Sequence, residues 1–310
     1  MAQERSEEAK GTTYGVLAYL IWGIFPLYFH LLEPAGAWEV LCHRILWTLV
    51  VCAIALAATR QTAFIADLRH NPRRLTMIAV ASVAIAANWT IYVQAVVTGH
   101  VTQASLGYFL NPLFTVALGV LVLRERLRPL QIAAVFIGLA ACIYLAVDDG
   151  KPPWIALSLA LSFGTYGLLK NKIGGSLNAL QSLSSETAVL APVAAILLVI
   201  LTVRGQTTFT GHGAGHSLLL ISTGLATALP LLLFAAAASR VPLVSIGLMQ
   251  FITPVLQLIC GVTLLGEHLS TARWIGFGIV WIALVLLSID ALLSASRGRR
   301  LARAAEEAAI

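Results

Sequence analysis

The sequence predicts an all-α integral membrane protein whose ten transmembrane helices form two inverted five-helix repeats. Three observations support this fold class: the composition, a regular series of apolar runs and an internal duplication. Of the 310 residues, 59% are hydrophobic and 11% are charged, and the mean hydropathy is +0.87. Since soluble domains carry about 25% charged residues, we expect most of this chain to lie in lipid.

Ten apolar runs separated by polar breaks define the predicted helices. A bilayer core about 30 Å thick requires roughly 20 apolar residues per helix, so ten spans occupy nearly the whole chain. Membrane-spanning strands would alternate between lipid-facing and interior residues, and runs such as 132–147 show no such alternation. The predicted spans are about residues 13–31, 37–58, 74–97, 102–123, 129–147, 153–171, 179–203, 215–239, 243–265 and 272–294.

The breaks also divide the chain into four parts. A polar cytoplasmic tail is predicted for residues 1–12 and a basic cytoplasmic tail for residues 295–310. Between them, residues 13–149 form the first five-helix repeat and residues 150–294 form the second. The two repeats are joined near Gly150, in a segment rich in glycine and proline.

An offset of 142 residues aligns the two halves. Eight residues between positions 106 and 127 recur at this offset, and they include a proline, a glycine and a glutamate. Such matches are harder to obtain by chance than matches between apolar residues. Because each copy has an odd number of spans, the second copy is predicted to be upside down, an arrangement typical of secondary transporters.

The distribution of positive charge predicts the orientation. With the N-terminus inside, 16 of the 20 Lys and Arg residues lie in cytoplasmic segments, three lie in outer segments, and Arg44 lies within a span. Cytoplasmic loops of membrane proteins carry an excess of Lys and Arg, so both termini are predicted to be cytoplasmic. Because these charges are scattered over loops, nucleic acid is not a predicted partner.

Several short segments carry a family resemblance. They are Asn88-Trp89, Ala104 to Leu113, Glu125 to Gln131, Tyr19 with Trp22 and Gly23, His43-Arg44 with Trp47, Pro230-Leu231 and Gly266-Glu267. Together they resemble the RarD-type permeases of the EamA family, in the drug/metabolite transporter superfamily. The resemblance extends over nearly the full chain.

The resemblance implies a multi-pass permease of the bacterial inner membrane that exports small metabolites or drugs. The family is associated with chloramphenicol sensitivity, and the resemblance does not identify an individual substrate. The sequence has no phosphate-binding loop for ATP, no catalytic triad and no metal-ligand spacing, so neither an enzyme nor a cofactor is predicted. The prediction is a secondary transporter, with protons or a counter-substrate as candidate coupling partners. A channel or a lipid scramblase is the alternative.

Two ionisable residues lie deep in predicted spans. The offset of 142 places Arg44 and Glu186 at equivalent positions, each roughly 12 Å from its own end of the bilayer at 1.5 Å per residue. Charge at that depth costs several kcal/mol unless it is paired or hydrated. We predict that the two residues form an ion pair or a shared gate that breaks and reforms during transport. A static pair, or separate local partners, is the alternative.

Polar and aromatic residues surround two prolines in equivalent spans. Pro112 and Pro254 are each predicted to break a helix and free a carbonyl group, as in other inverted-repeat transporters. The side chains near them are predicted to line a central cavity for a small, partly aromatic solute, and ordinary bonding between helices is the alternative. The predicted cavity residues are Trp22, Asn88, Trp89, Tyr92, Ser105, Tyr108, Asn111, Tyr166, Gln250 and Thr253.

The predicted partners are therefore the lipid bilayer and a small-molecule substrate. In the last span, Gly276 and Gly278 would allow close contact with a second copy of the chain, so a homodimer is a further candidate.

Overall fold

Long apolar helices account for most of the chain. The computed structural model describes residues 2–124, 127–173 and 177–307, and it contains no strand within those ranges. In this part of the chain, eight helices are long and apolar enough to cross a membrane, and the shorter apolar helix Trp154–Lys170 accompanies them. The prediction of an all-helical membrane protein is thus confirmed.

The helices follow one another with short connections. In the first half they are α1 (Ala2–Gly23), α2 (Phe25–His30), α3 (Ala37–Thr59), α4 (Phe64–Arg69), α5 (Pro72–Val97), α6 (Val101–Leu123) and α7 (Pro129–Asp148). In the second half they are α8 (Trp154–Ile173), α9 (Ala179–Val203), α10 (Gly213–Ala238), α11 (Leu243–Met249), α12 (Ile252–Ile259), a π-helical turn (Cys260–Leu264) and α13 (Thr271–Glu307).

Polar caps explain where several of these helices begin. The side chain of Asn71 accepts a hydrogen bond from the backbone of Arg74, and Pro72 occupies the first turn of α5. Asn178 and Gln181 form a reciprocal capping box at the start of α9. Caps of this kind satisfy amide groups that have no partner inside the helix.

The two mid-span prolines have different effects on their helices. Pro254 lies in the first turn of α12, directly after an interruption at Gln250 and Phe251. In contrast, α6 continues as one helix through Pro112, so the expected break at Pro112 is wrong. A proline removes one backbone hydrogen bond, and packing of α6 against α8 and α12 keeps the residues on both sides of it helical.

Helices of the first half pack mainly on helices of the second half. The principal contacts place α3 on α9 and α10, α5 on α8, α1 on α10 and α12, α6 on α8 and α12, and α7 on α13. Small residues allow the closest approaches: an added Cβ at Gly224 would lie 2.4 Å from the backbone carbon of Trp47. Such contacts are typical of helix packing in membranes, where small residues let backbones approach closely.

Gly276 also serves packing within the chain. A Cβ at this position would lie 2.5 Å from a methyl group of Leu145, so the glycine lets α13 pack closely on α7. Gly276 therefore packs against Leu145 within the chain and is not available for the predicted contact with a second copy.

Glu267 caps a helix that is distant in sequence. Its carboxylate accepts hydrogen bonds from the backbone amides of Val101 and Thr102, the latter at 2.9 Å, and so satisfies the start of α6. An acidic group at this end of a helix is favoured both by the free amides and by the helix dipole.

We expect Glu267→Ala to lower the free energy of unfolding by about 1–2 kcal/mol, because two amides of α6 lose their acceptor. Thermal unfolding of the purified protein measures this change. As a control, Glu33→Ala removes an exposed carboxylate paired only with His30 and is expected to change stability by less than about 0.5 kcal/mol. Equal effects of the two substitutions would contradict the capping role.

Candidate functional site

Arg44 and Glu186 are both buried in the structure, but they do not contact each other. The two residues are 4% and 3% exposed, and each has different partners among the described residues. The predicted ion pair between them is therefore absent from this conformation. The physical reason is that both have a nearer partner: a hydroxyl for Arg44 and an ammonium group for Glu186.

Arg44 lies in a cage of aromatic rings. Its guanidinium carbon is 4.2 Å from the centroid of the Trp89 ring and 5.6 Å from that of Phe29, and Phe25 is also within 6 Å. Its Nε donates a hydrogen bond of 2.8 Å to the hydroxyl of Thr227 on α10. Cation–π contacts of this kind stabilise a desolvated cation by about 2 kcal/mol.

The guanidinium of Arg44 has more donors than this cage satisfies. Among the described residues, its two terminal nitrogens form no hydrogen bond, and no carboxylate forms an ion pair with it. Arginine stays protonated in proteins, so the group cannot escape the cost of burial by losing its charge. Within the described part of the chain, Arg44 is thus a buried cation without a counter-ion.

Glu186, in contrast, has a complete set of partners. Its carboxylate accepts hydrogen bonds from the ammonium group of Lys170 at 2.7 Å, from the hydroxyl of Tyr166 at 3.1 Å and from that of Ser182 at 3.1 Å. Lys170 also donates to the hydroxyl of Ser182. The charge of Glu186 is therefore neutralised within the protein.

A continuous series of ring contacts connects the two charged sites. Phe29 contacts Tyr92, Tyr92 contacts Tyr108, Tyr108 contacts Phe163 and Phe163 contacts Tyr166, with ring centroids 5.5 to 6.5 Å apart. This series begins beside Arg44 and ends at the hydroxyl that binds Glu186. Three of the predicted cavity residues, Tyr92, Tyr108 and Tyr166, belong to it.

Asn88 joins this series to α8. Its amide nitrogen donates to the carbonyl oxygen of Leu159 at 3.1 Å and to the hydroxyl of Ser162 at 3.0 Å. Its amide oxygen accepts a longer bond of 3.4 Å from the hydroxyl of Tyr108. Asn88 therefore acts at least as a bond between helices, the alternative considered for the predicted cavity residues.

We expect Asn88→Leu to lower stability by about 0.6 kcal/mol, the average for a hydrogen bond between membrane helices. Thr90→Val is a matched control on the same helix, because the hydroxyl of Thr90 bonds only to Ala86 within α5. Thermal unfolding of the two variants compares them. An effect of Thr90→Val as large as that of Asn88→Leu would argue against a bond between helices.

A second group of polar contacts joins α1, α6 and α12. The hydroxyl of Ser105 donates to the carbonyl oxygen of Pro254 at 2.7 Å, and that of Thr253 donates to the carbonyl oxygen of Tyr19 at 2.9 Å. The side-chain amide of Gln257 donates to the carbonyl oxygen of Trp22 at 3.2 Å. Gln250 lies at the interruption between α11 and α12.

Several buried polar atoms near these groups have no hydrogen-bond partner among the described residues. They are the hydroxyl of Tyr92 and the amide oxygens of Asn111 and Gln257. Tyr92 and Asn111 are 3% and 8% exposed. Buried polar groups are usually hydrogen-bonded, so these atoms mark positions where water or a bound molecule can complete the contacts.

One cavity is lined by residues other than the predicted cavity residues. Its volume is about 370 Å³, and it is lined by His43, Leu46, Trp47, Val50, Leu198, Thr202, Thr207, Phe209 and Thr210. Most of the predicted residues are instead packed: Asn88, Trp89, Tyr92, Ser105, Asn111 and Thr253 are each at most 9% exposed. In this conformation, therefore, the helices enclose the predicted site.

Two contacts of the buried charged residues are missing from the sequence predictions. Lys170 is predicted to lie in a cytoplasmic segment, yet it reaches Glu186 from the end of α8. The spacing of Tyr166 and Lys170 could have indicated this contact, because residues one helical turn apart lie on the same face of a helix and both face Glu186. Thr227 gave no signal, since a hydroxyl in an apolar helix normally bonds its own backbone, as this one does to Thr223.

Comparisons with known proteins agree with this architecture. The sequence profile of the EamA-like transporter family matches residues 9–147 and, a second time, residues 152–289. The protein RarD of Streptomyces exfoliatus is 48% identical, over 95% of this chain and 93% of its own. The protein RarD of Escherichia coli strain K12 is 37% identical, over 94% of this chain and 99% of its own.

One solved crystal structure is also similar in fold. It matches 91% of this chain and 98% of its own chain with a TM-score of 0.59, at a sequence identity of 17%. At this identity the similarity extends to the fold alone.

Proposed function

Because this chain belongs to the EamA-like transporter family and its RarD relatives match nearly its full length, we propose that it is a secondary transporter working by alternating access. It exports small metabolites or drugs across the bacterial inner membrane without ATP. Its family membership and the eight apolar helices of the described chain identify it as a multi-pass transporter of the inner membrane.

One observation carries this proposal: the buried polar contacts of the predicted site connect one half of the chain to the other. Arg44 binds Thr227, Asn88 binds Leu159, Ser105 binds Pro254 and Thr253 binds Tyr19. Each bond therefore lies where the halves would separate if one moved against the other. Polar contacts at such a boundary can exchange partners when a solute enters.

Two further observations support two inverted repeats, residues 13–149 and 150–294. The offset of 142 maps the starts of α3, α6 and α7, at Ala37, Val101 and Pro129, onto the starts of α9, α11 and α13. The family profile matches twice, once in each half. Equivalent starts and paired matches are expected of a duplicated unit. With α1 and α8 as the first span of each half, the proposed total is ten spans.

The helix contacts have the same symmetry. Exchanging equivalent helices turns the contact of α5 with α8 into that of α10 with α1, and the contact of α6 with α8 into that of α12 with α1. The contacts of α3 with α9 and of α7 with α13 map onto themselves. This pattern is expected of a two-fold axis in the membrane plane.

We propose that both termini are cytoplasmic, and ion pairs near the helix ends support a position of both on the same side. Arg240 pairs with Glu7 and Arg128 with Asp290. The sequence predicts a cytoplasmic position for Glu7, Arg128 and Arg240, and Asp290 lies near the C-terminal end of the tenth predicted span. Hydrogen bonds from Lys10 and Arg240 also hold the pKa of the Glu7 carboxyl below its usual value.

Labelling of single cysteines tests this orientation. We expect a membrane-impermeant maleimide added to intact cells to react with Arg204→Cys and not with Arg60→Cys. The unmodified chain is a suitable background because its four cysteines are free and lie within helices. Reaction at both positions, or at Arg60→Cys alone, would contradict the orientation.

Counterflow into proteoliposomes tests the transport mechanism. Vesicles that contain only this protein are loaded with an unlabelled solute, selected by thermal stabilisation of the protein from drugs, amino acids and nucleosides. We expect transient accumulation of the labelled solute against its gradient. A channel or a lipid scramblase, the alternative functions, would equilibrate its cargo without this overshoot.

We propose that Glu186 and Arg44 couple solute movement to its driving force. Their contacts change as the two halves move, and the helices that carry Pro112 and Pro254 change shape at the same time. Whether protons or a counter-substrate drive this change is decided by comparing counterflow with and without an imposed pH gradient. Acceleration by the gradient indicates proton coupling, and an unchanged rate indicates exchange.

A further inference from the structure

The chain contains two buried charged sites that differ in one respect. At Glu186, a carboxylate meets the ammonium group of Lys170, so the site is neutral. At Arg44, a guanidinium meets only a hydroxyl and aromatic rings in the described part of the chain. A buried cation normally requires a paired anion, because an uncompensated charge in a helical bundle costs several kcal/mol.

We infer that the missing counter-ion is the substrate: Arg44 binds the carboxylate of a small organic anion. This inference deepens the proposed transport function and rests on it. A solute that supplies the anion binds where the protein has already desolvated the cation. Such a site discriminates an anion from its neutral analogue, since only the anion compensates the charge.

The geometry of Arg44 indicates how the anion binds. Nε is occupied by Thr227, so the edge formed by the two terminal nitrogens is the one without acceptors among the described residues. This edge of a guanidinium matches the two oxygens of a carboxylate and donates two parallel hydrogen bonds to them. Trp89, only 7% exposed, covers the guanidinium and holds it in place.

The hydroxyl of Tyr92 provides a second, independent indication. Tyr92 is 3% exposed, its ring contacts Phe29 of the Arg44 cage, and its hydroxyl has no partner among the described residues. A buried hydroxyl left unsatisfied costs about 1–3 kcal/mol. An anion held by Arg44 can accept this hydrogen, so the two unsatisfied groups serve one ligand.

Charge balance favours a carboxylate over a phosphate. Arg44 supplies one positive charge, and the charge of Lys170, at the other buried site, is already neutralised by Glu186. A carboxylate carries one negative charge, whereas a phosphate monoester carries about −1.5 to −2 near neutral pH. One guanidinium therefore neutralises the carboxylate and leaves the phosphate partly uncompensated.

Thermal stabilisation of the purified full-length protein tests this inference with three probes: benzoate, neutral benzamide of nearly the same shape, and phenyl phosphate. We expect benzoate to raise the unfolding temperature in a saturable manner, with benzamide and phenyl phosphate binding at least about tenfold more weakly. Measurements in a neutral detergent without anionic lipid exclude a lipid headgroup as the anion. Equal stabilisation by benzoate and benzamide would overturn the inference.

Two substitutions locate the site. Arg44→Gln is expected to abolish the difference between benzoate and benzamide, whereas Arg273→Gln, which interrupts an ion pair with Asp149 elsewhere, is expected to preserve it. If Arg44→Gln does not fold, Tyr92→Phe decides: we expect weaker benzoate binding and an unchanged or higher unfolding temperature without ligand. Unchanged benzoate binding in Tyr92→Phe or in folded Arg44→Gln would contradict the site.

The outcomes also separate this inference from the transport proposal. Counterflow of neutral solutes alone, with no benzoate binding, would support the transport function and contradict the anion site. Benzoate binding that depends on Arg44, without counterflow of any solute, would support the anion-binding site. It would contradict the transport mechanism, and with it the role of the bound anion as a substrate.

Discussion

Lys170→Met is expected to lower the free energy of unfolding by up to about 3 kcal/mol, because it leaves the carboxylate of Glu186 buried without its cation. Glu186 is 3% exposed, so water does not replace the lost partner. The expected loss is at the lower end of the range for an interrupted buried pair, since Tyr166 and Ser182 still donate hydrogen bonds. Thermal unfolding of the purified protein measures the change.

The double variant Lys170→Met with Glu186→Gln is the control. It removes both charges and leaves an amide that still binds Tyr166, so we expect it to recover most of the lost stability. A double variant no more stable than Lys170→Met would mean that Glu186 is stabilised by something other than this ion pair. Recovery of stability without recovery of transport would assign the pair to the coupling step.

Gly224→Ala is expected to destabilise the protein by about 1–3 kcal/mol through a direct clash between helices. The added Cβ would lie 2.4 Å from the backbone carbon and 2.5 Å from the carbonyl oxygen of Trp47, so α10 must move away from α3. Thr227 follows Gly224 by one helical turn, so the same displacement weakens its bond to Arg44. The result is a lower unfolding temperature together with weaker benzoate binding.

Gly167→Ala is the matched control for this substitution. Gly167 also lies inside a helix, and a Cβ there meets no atom of the described chain within 4 Å. Alanine has a higher helix propensity than glycine, so this variant is expected to gain up to about 1 kcal/mol. If both glycine variants shift the unfolding temperature in the same direction, close packing at Gly224 is not the cause.

The sequence was sufficient to predict most of the long apolar helices, because these depend on local properties, but it did not predict the separate helix α2, the short helix α4 or the extension of α13 to Glu307. Apolar runs of the required length and the positions of prolines are visible in a single chain. The division of the ninth predicted span into α11, α12 and a π-helical turn was only partly visible. Pro254 indicated a break, yet Pro112 gave the same signal and α6 is continuous.

The site was predicted less completely, because partners of buried charges depend on packing between distant segments. Depth in the membrane identified Arg44 and Glu186 as unusual residues. Their equivalence under the repeat suggested a mutual pair, whereas Thr227 and Lys170 are their actual partners. A difference of a few ångströms in helix position decides such a choice, and periodicity within one helix carries no information about it.

The difference between the continuous α6 and the interrupted ninth span has a consequence for the transport cycle. In a duplicated protein whose halves exchange shapes, the opposite-facing form is obtained by giving each half the shape of the other. We then expect the ninth span to straighten through Pro254 while the fourth bends at Pro112. The helices that carry the two prolines would bend alternately, one bent while the other is straight. The position of the bend would then indicate from which side of the membrane the solute can reach the site.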